Sequence, residues 1–225
     1  MIDGTIIANR IEGNLSGIPI ALQEFMAAID QATHWIQRDW QLYQANPAHL
    51  LLTGVKVSFL ESATAWAIGS NRGAAASLRA AVENAFAWLY YKDHPVELKA
   101  VKERRADMLL PKGVQSYLKA VDGGYEASYE MLKKTKSRPN EYFYTDLSQY
   151  VHAHPNFALN ATIENTVVSS PRDASFLAIC AATGEFIADN YLAAYRASWG
   201  DFPNAVQASV TTRLGTGLAK FVEIP

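Results

Sequence analysis

The chain has 225 residues, enough for one large domain and short for two independent ones. At 49% hydrophobic and 19% charged it is globular rather than disordered. Its 20 Lys+Arg against 22 Asp+Glu leave a formal charge of −2, which excludes a chain-wide basic footprint for nucleic acid. Any anion site must therefore come from a local cluster. The single cysteine, Cys180, excludes a disulfide framework and a cysteine-based zinc site. Set among small apolar residues in "SFLAICAATGEF", it is expected to be a buried thiol.

Residues 1–20 combine short β-branched runs, glycines and Pro19, and predict a short irregular or extended segment. The stretch has no basic region leading into an apolar run, so it does not resemble a secretory signal. No run reaches the ~18–20 apolar residues of a membrane span. A cytoplasmic location is expected. From 21 to 225 the chain predicts a single α-helical domain, an all-α bundle of six to eight helices.

Leu22, Phe25, Met26, Ile29, Trp35, Ile36, Trp40 and Tyr43 form one face of a long helix that can break once. A second begins near Pro47 and stops at Gly69. The third, "AAASLRAAVENAFAWLYYKD", is the most regular. Its apolar face is Leu78, Ala81, Val82, Ala85, Trp88 and Leu89. "HPVELKAVKERRADML" predicts a solvated helix, and "GVQSYLKAVDGGYEASYEMLKK" one or two more, interrupted at Gly123–Gly124. After a basic stretch comes "EYFYTDLSQYVHAHPN", then a long helix with Ser170 as cap and Pro171 in its first turn, then a shorter last one.

Several chemistries find no residues here. There is no Walker loop, and "GTG" at 215–217 is too short to cradle phosphate, so no nucleotide cofactor is expected. No zinc motif of the His-Glu-x-x-His type occurs and no histidine follows a glutamate by three residues, so no metal site is expected. His152 and His154 would lie about 200° apart around a helix, unsuited to one metal ion.

As a helix, the segment from Phe143 puts Phe143, Leu147, Tyr150, Val151 and His154 on one apolar face. His154 precedes Pro155 and reads as a helix-ending residue bonded to a carbonyl. Ser148 and His152, one turn apart, fall on the flank beside Tyr144. The third helix has a matching flank, where Arg79 and Glu83 are one turn apart and can pair. An arginine held by a glutamate at the edge of a core is a fixed donor fork for phosphate or carboxylate. Lys133, Lys134, Lys136 and Arg138 make a basic strip with aromatics just beyond it. Charge for the backbone beside rings for the bases is how single-stranded RNA is held. Tyr90, Tyr91, Tyr142 and Phe143 are candidates for an oligomer surface, where aromatics are enriched.

Residues 69–95, "GSNRGAAASLRAAVENAFAWLYYKDHP", with "YTDLSQYVHAHPN" at 144–156, resemble the HEPN superfamily of helical domains. The likeness is closest to bacterial members with an Arg-x-x-x-Glu helix (Arg79, Glu83) and a later Leu-Ser-x-x-Val-His helix (Leu147, Ser148, Val151, His152). It covers about half the chain, roughly residues 50–157. The resemblance implies a helical bundle, often a homodimer. It also implies a metal-independent endoribonuclease acting as a toxin-type effector in bacterial defence, with RNA as substrate and an antitoxin or defence protein as partner. The superfamily's hallmark arginine would fall at Thr145, Asp146 or Leu147 for His152, or at Leu147, Ser148 or Gln149 for His154, and none of these is arginine.

Three readings follow. In the first, His152 and Arg79 cut RNA, with Ser148 or Tyr144 orienting the imidazole, Glu83 holding the arginine and the basic strip binding the strand. In the second, a HEPN-like domain binds RNA, a nucleotide or a protein without cutting. In the third, the four polar residues are structural links in an unrelated helical scaffold.

Overall fold

The computed structural model describes residues 4–135, 143–152 and 175–224. Every regular element among them is helical, as the sequence predicts. The described residues hold twelve α-helices, more than the six to eight expected. In chain order they are α1 (Gly4–Leu15), α2 (Ile18–Ala28), α3 (Asp30–Leu42), α4 (His49–Ala67), α5 (Asn71–Tyr91) and α6 (Pro95–Lys102). Then follow α7 (Pro111–Val121), α8 (Gly123–Lys134), α9 (Phe143–Val151), α10 (Ser175–Ala194), α11 (Asn204–Leu214) and α12 (Leu218–Val222). Two 3-10 turns, Arg196–Asp201 and Gly215–Gly217, flank α11. No helix is long and apolar enough to cross a membrane, among the described residues.

The expected extended N-terminal segment is instead helical: α1 starts at Gly4 and α2 at Ile18. Ile7 and Ile11, one turn apart, are half-buried, and the amide of buried Asn14 donates to the Ile68 carbonyl at 3.1 Å. Those tertiary contacts outweigh the small helix penalty of β-branched residues. The extra helices elsewhere come from sharp breaks. Ile29 separates α2 from α3. Asp122 separates α7 from α8, its carboxylate accepting from the Gly124 N–H at 3.1 Å as an N-cap. Prolines open α6 and α7, where a missing N–H costs nothing.

The chain forms two compact units: residues 1–30, 55–81 and 138–183, and residues 31–54, 82–137 and 184–225. In the first, Phe25 and Trp66 pack with ring centroids 6.5 Å apart. Phe143 and Leu147 of α9 are buried, and Tyr150 meets Phe176 edge-on. Cys180 is fully buried, which pushes its thiol pKa well up. In the second unit, Trp35 is ringed by Tyr191, Tyr195 and Phe202, and Phe86 stacks on Phe186. Buried polar groups there are cross-linked. Asp39 accepts from the Trp88 indole and the Tyr195 hydroxyl, and Arg213 bridges Glu185 and Asp189. Arg196 forms a two-pronged pair with Asp122, both contacts at 2.6 Å.

Two of the aromatics expected at an oligomer surface are interior. Phe143 is core, and Tyr91 is buried with its hydroxyl accepting from the Leu109 N–H. Their apolar bodies complete the packing of α9 and α5 rather than facing outward. Tyr90 is half-buried and stacks face to face on His94. Tyr142 lies outside the described residues, as do His154, Ser170 and Pro171.

Candidate functional site

The candidate site belongs to the first unit, where α5 meets the end of α9. Its position is set by how α4 stops. Gly69 adopts φ +91, the Ser70 N–H donates to the Ala65 carbonyl at 2.7 Å and the Gly69 N–H to Trp66 at 2.9 Å. That pair of bonds around a left-handed glycine closes a helix and reverses the chain, so α5 can begin at Asn71. On α5 the predicted apolar face is buried throughout: Leu78, Ala81, Val82, Ala85, Trp88 and Leu89. Burying that face turns the neighbouring flank, with half-buried Arg79, to the border of the core.

Phe143 and Leu147, one turn apart, anchor α9 by the same logic. Asp146, one of the positions at which the HEPN pattern could carry arginine, stands in the first turn of α9. A carboxylate there interacts favourably with the helix dipole. Its negative charge therefore has a local structural use.

The last turn of α9 brings the predicted residues together. Arg79 Nη1 lies 3.4 Å from His152 Nε2, in an exposed setting, across 73 residues of sequence. The Arg79 guanidinium also sits over the Tyr144 ring, 5.6 Å from its centroid, a cation–π geometry. A guanidinium only donates, so this contact is a hydrogen bond in the tautomer whose Nε2 carries the lone pair. The imidazole stands beside a cation.

Ser148 is placed differently from the expectation that it orients His152. Its hydroxyl donates to the Tyr144 carbonyl at 2.9 Å, one turn back within α9, which uses its single proton on the helix itself. Glu83 is half-buried, one turn beyond Arg79 on α5. Lys133 and Lys134 are exposed in the last turn of α8, in the second unit, with Lys133 Nζ 3.7 Å from Glu130. Lys136 and Arg138 lie outside the described residues.

One contributor escaped the sequence reading. Arg72 Nε donates to the Val151 carbonyl at 3.1 Å. That carbonyl closes α9, where backbone acceptors lack helical partners and cations are favoured. Arg72 precedes Arg79 by seven residues, about 20° around the helix, so both guanidiniums project from one stripe of α5. That spacing was the signal available in the sequence. The assembled site offers two arginines, an imidazole and an aromatic face, a set suited to a phosphate with a base beside it. No group of three or more His, Cys, Asp or Glu is arranged to hold a metal ion, among the described residues.

Comparison with known proteins finds no matching family model, no matching curated protein and no matching solved structure.

Proposed function

We propose that the chain is a HEPN-like helical protein that cleaves RNA without a metal ion, as a toxin-type effector of a bacterial defence system. The observation that carries this reading is the exposed 3.4 Å contact between Arg79 Nη1 and His152 Nε2. RNA cleavage by internal attack needs a base for the 2′-hydroxyl proton and cationic donors for the crowded phosphate. Both stand side by side here.

In the proposed reaction the phosphate draws the Arg79 fork onto its oxygens and releases Nε2. The His152 imidazole then takes the 2′-hydroxyl proton while the 2′-oxygen bonds to phosphorus. The P–O5′ bond breaks, the leaving oxygen takes a proton from solvent, and the products are a 2′,3′-cyclic phosphate and a 5′-hydroxyl. Tyr144 holds the guanidinium from below. Arg72 adds positive charge at the same helix end. Glu83 is a positioning residue for Arg79, and Ser148 acts only by stiffening α9. The basic strip of Lys133, Lys134, Lys136 and Arg138 binds the RNA backbone. In this reading the protein is cytoplasmic and homodimeric, with an antitoxin or other defence protein as partner.

The test is incubation of the purified chain with a mixed RNA pool in the presence of a chelator, with product ends mapped. Arg79→Ala and His152→Ala are each expected to slow cleavage by roughly 100-fold or more. Cleavage unchanged in both variants refutes the reading. A second reading, an RNA-binding module without cleavage, is favoured by one arrangement: none of Thr145, Asp146 and Leu147 is the hallmark arginine, and the Ser148 proton is spent on α9. RNA retention that Arg79→Ala abolishes, with no cleavage by wild type, selects it.

A further inference from the structure

The second unit holds a hydrogen-bonded relay that the proposed cleavage does not use. Helix α5 ends at Tyr91 and α6 begins at Pro95, so His94 lies between them and caps α6. Its backbone is fixed on both sides: its N–H donates to the Tyr91 carbonyl at 3.2 Å, and its carbonyl accepts from the Leu98 N–H at 3.1 Å. The ring is fixed as well. Tyr90 lies flat against it, with centroids 4.0 Å apart and planes 1° from parallel. Nδ1 is 2.7 Å from the Tyr90 carbonyl oxygen. A carbonyl only accepts, so Nδ1 carries a proton and donates it there. In the neutral imidazole the lone pair is therefore on Nε2. Tyr117 of α7 places its hydroxyl 3.1 Å from that atom.

A hydroxyl bonded to a base, with the base oriented by a third group, is the arrangement of an activated nucleophile. An unperturbed phenol, pKa about 10, is almost wholly protonated at neutral pH, so a base in contact matters. Tyr117 and His94 are both half-buried, which leaves the pair open in part to solvent. The surrounding charge selects the class of electrophile. Burial first, and then Glu97, Tyr117 and Tyr91, hold the Tyr90 phenol above its ordinary pKa. Those groups are anionic when charged, and no lysine or arginine stands among them. Asp93, next to His94, is already paired with Lys92. A phosphoryl donor would meet negative charge and no cationic fork. An uncharged acyl group meets neither obstacle.

We infer that Tyr117 is a covalent modification site that accepts uncharged acyl groups, with His94 as its base and the Tyr90 carbonyl orienting the imidazole. Tyr117 Oη attacks the carbonyl carbon of an activated acyl donor, such as an acyl imidazole or a thioester. The Oη–C bond forms and the bond from that carbon to the leaving group breaks, its electron pair departing with the leaving group. The phenolic proton passes to His94 Nε2 and from there to the leaving group. Tyr117 ends as an aryl ester. The relay lies within the second unit, so the inference is independent of cleavage at Arg79 and His152.

The test is acetylation of the full chain by N-acetylimidazole at neutral pH, followed residue by residue with mass spectrometry. Tyr43 is the internal reference: it is in the same unit, half-buried against Trp88, and has no histidine at its hydroxyl among the described residues. Tyr117 is expected to acetylate at least about 100-fold faster than Tyr43. In His94→Asn the amide nitrogen can still donate to the Tyr90 carbonyl, but the Nε2 base is gone. Tyr117 should then fall to the Tyr43 rate. Tyr117→Phe keeps the ring and abolishes the fast phase. Melting curves taken alongside identify the folded variants, and the wild-type ratio decides alone where a variant does not fold. Equal rates at Tyr117 and Tyr43 in wild type overturn the inference, as does fast acetylation of Tyr117 that survives in folded His94→Asn.

Discussion

Asp39 is the most informative residue for testing the energetic account of the second unit. Its carboxylate is fully buried and accepts three hydrogen bonds. Trp88 Nε1 and the Tyr195 hydroxyl each donate to Oδ2 at 2.8 Å, and Arg38 Nη1 donates to Oδ1 at 2.8 Å. The Arg38 guanidinium is itself layered on the Trp35 and Tyr195 rings, 5.6 and 5.3 Å from their centroids. Asp39→Asn keeps the shape, and its amide oxygen best occupies the Oδ2 position, retaining the two aromatic donors. The amide nitrogen then faces Arg38, donor against donor, which removes one charge-assisted bond worth about 1.5–3 kcal/mol. Asp39→Ala loses all three hydrogen bonds and leaves the buried Trp88 N–H without its acceptor, so the expected cost is about 3–5 kcal/mol.

The pH dependence adds a second reading of the same residue. Burial raises the Asp39 pKa above its ordinary value, outweighing the donors from Trp88, Tyr195 and Arg38. A raised carboxylate pKa means the folded state binds the proton more tightly, so this group's contribution falls as pH rises from the unfolded value through the folded one. The margin of wild type over Asp39→Asn is therefore largest in acid and shrinks as pH rises. Urea denaturation of wild type, Asp39→Asn and Asp39→Ala across pH 4 to 8 measures both effects. An alanine variant no less stable than the asparagine variant, or a margin that widens with pH, refutes the reasoning.

Asp122 is expected to show the opposite slope. Burial acts to raise its pKa, but the Arg196 hydrogen bonds and charge, with the Gly124 and Tyr125 N–H groups, hold it below the ordinary carboxylate value. Its contribution is complete above the unfolded pKa and is lost as pH falls through the folded one. The stability difference between wild type and Asp122→Asn, measured by denaturation from pH 6 to 3, should shrink toward acid. The asparagine amide oxygen preserves the N-cap of α8, so the difference reports the lost charge together with one lost Arg196 hydrogen bond. Cys180 is expected to resist thiol reagents in the native chain and to react only on unfolding, because it is buried with a raised pKa. Native reactivity at the unfolded rate, followed by colorimetric thiol titration, contradicts that placement.

Much of the helical layout was local information and could be read directly. The apolar period of α5 names the residues that are buried, the left-handed glycine at 69 ends α4, and Asp122 and the opening prolines of α6 and α7 set boundaries. These signals depend on residues within a few positions of one another, so one sequence contains them. The N-terminal helices depart from the sequence expectation for the converse reason. Propensity in "GTIIANRIEGNL" is ambiguous, and what fixes α1 is a bond from Asn14 to Ile68, far along the chain.

The site divides in the same way. The sequence placed Arg79 and His152 on the flanks of their own helices. That the two side chains lie 3.4 Å apart follows from how α5 packs against α9, which no local period encodes. The Arg72 contact with Val151 and the Asp39 and Arg213 networks exist only once distant segments are brought together. Sequence periodicity reports which face of a helix seeks burial. Which other helix that face meets is decided by side-chain packing across the whole unit, and only the tertiary structure carries it.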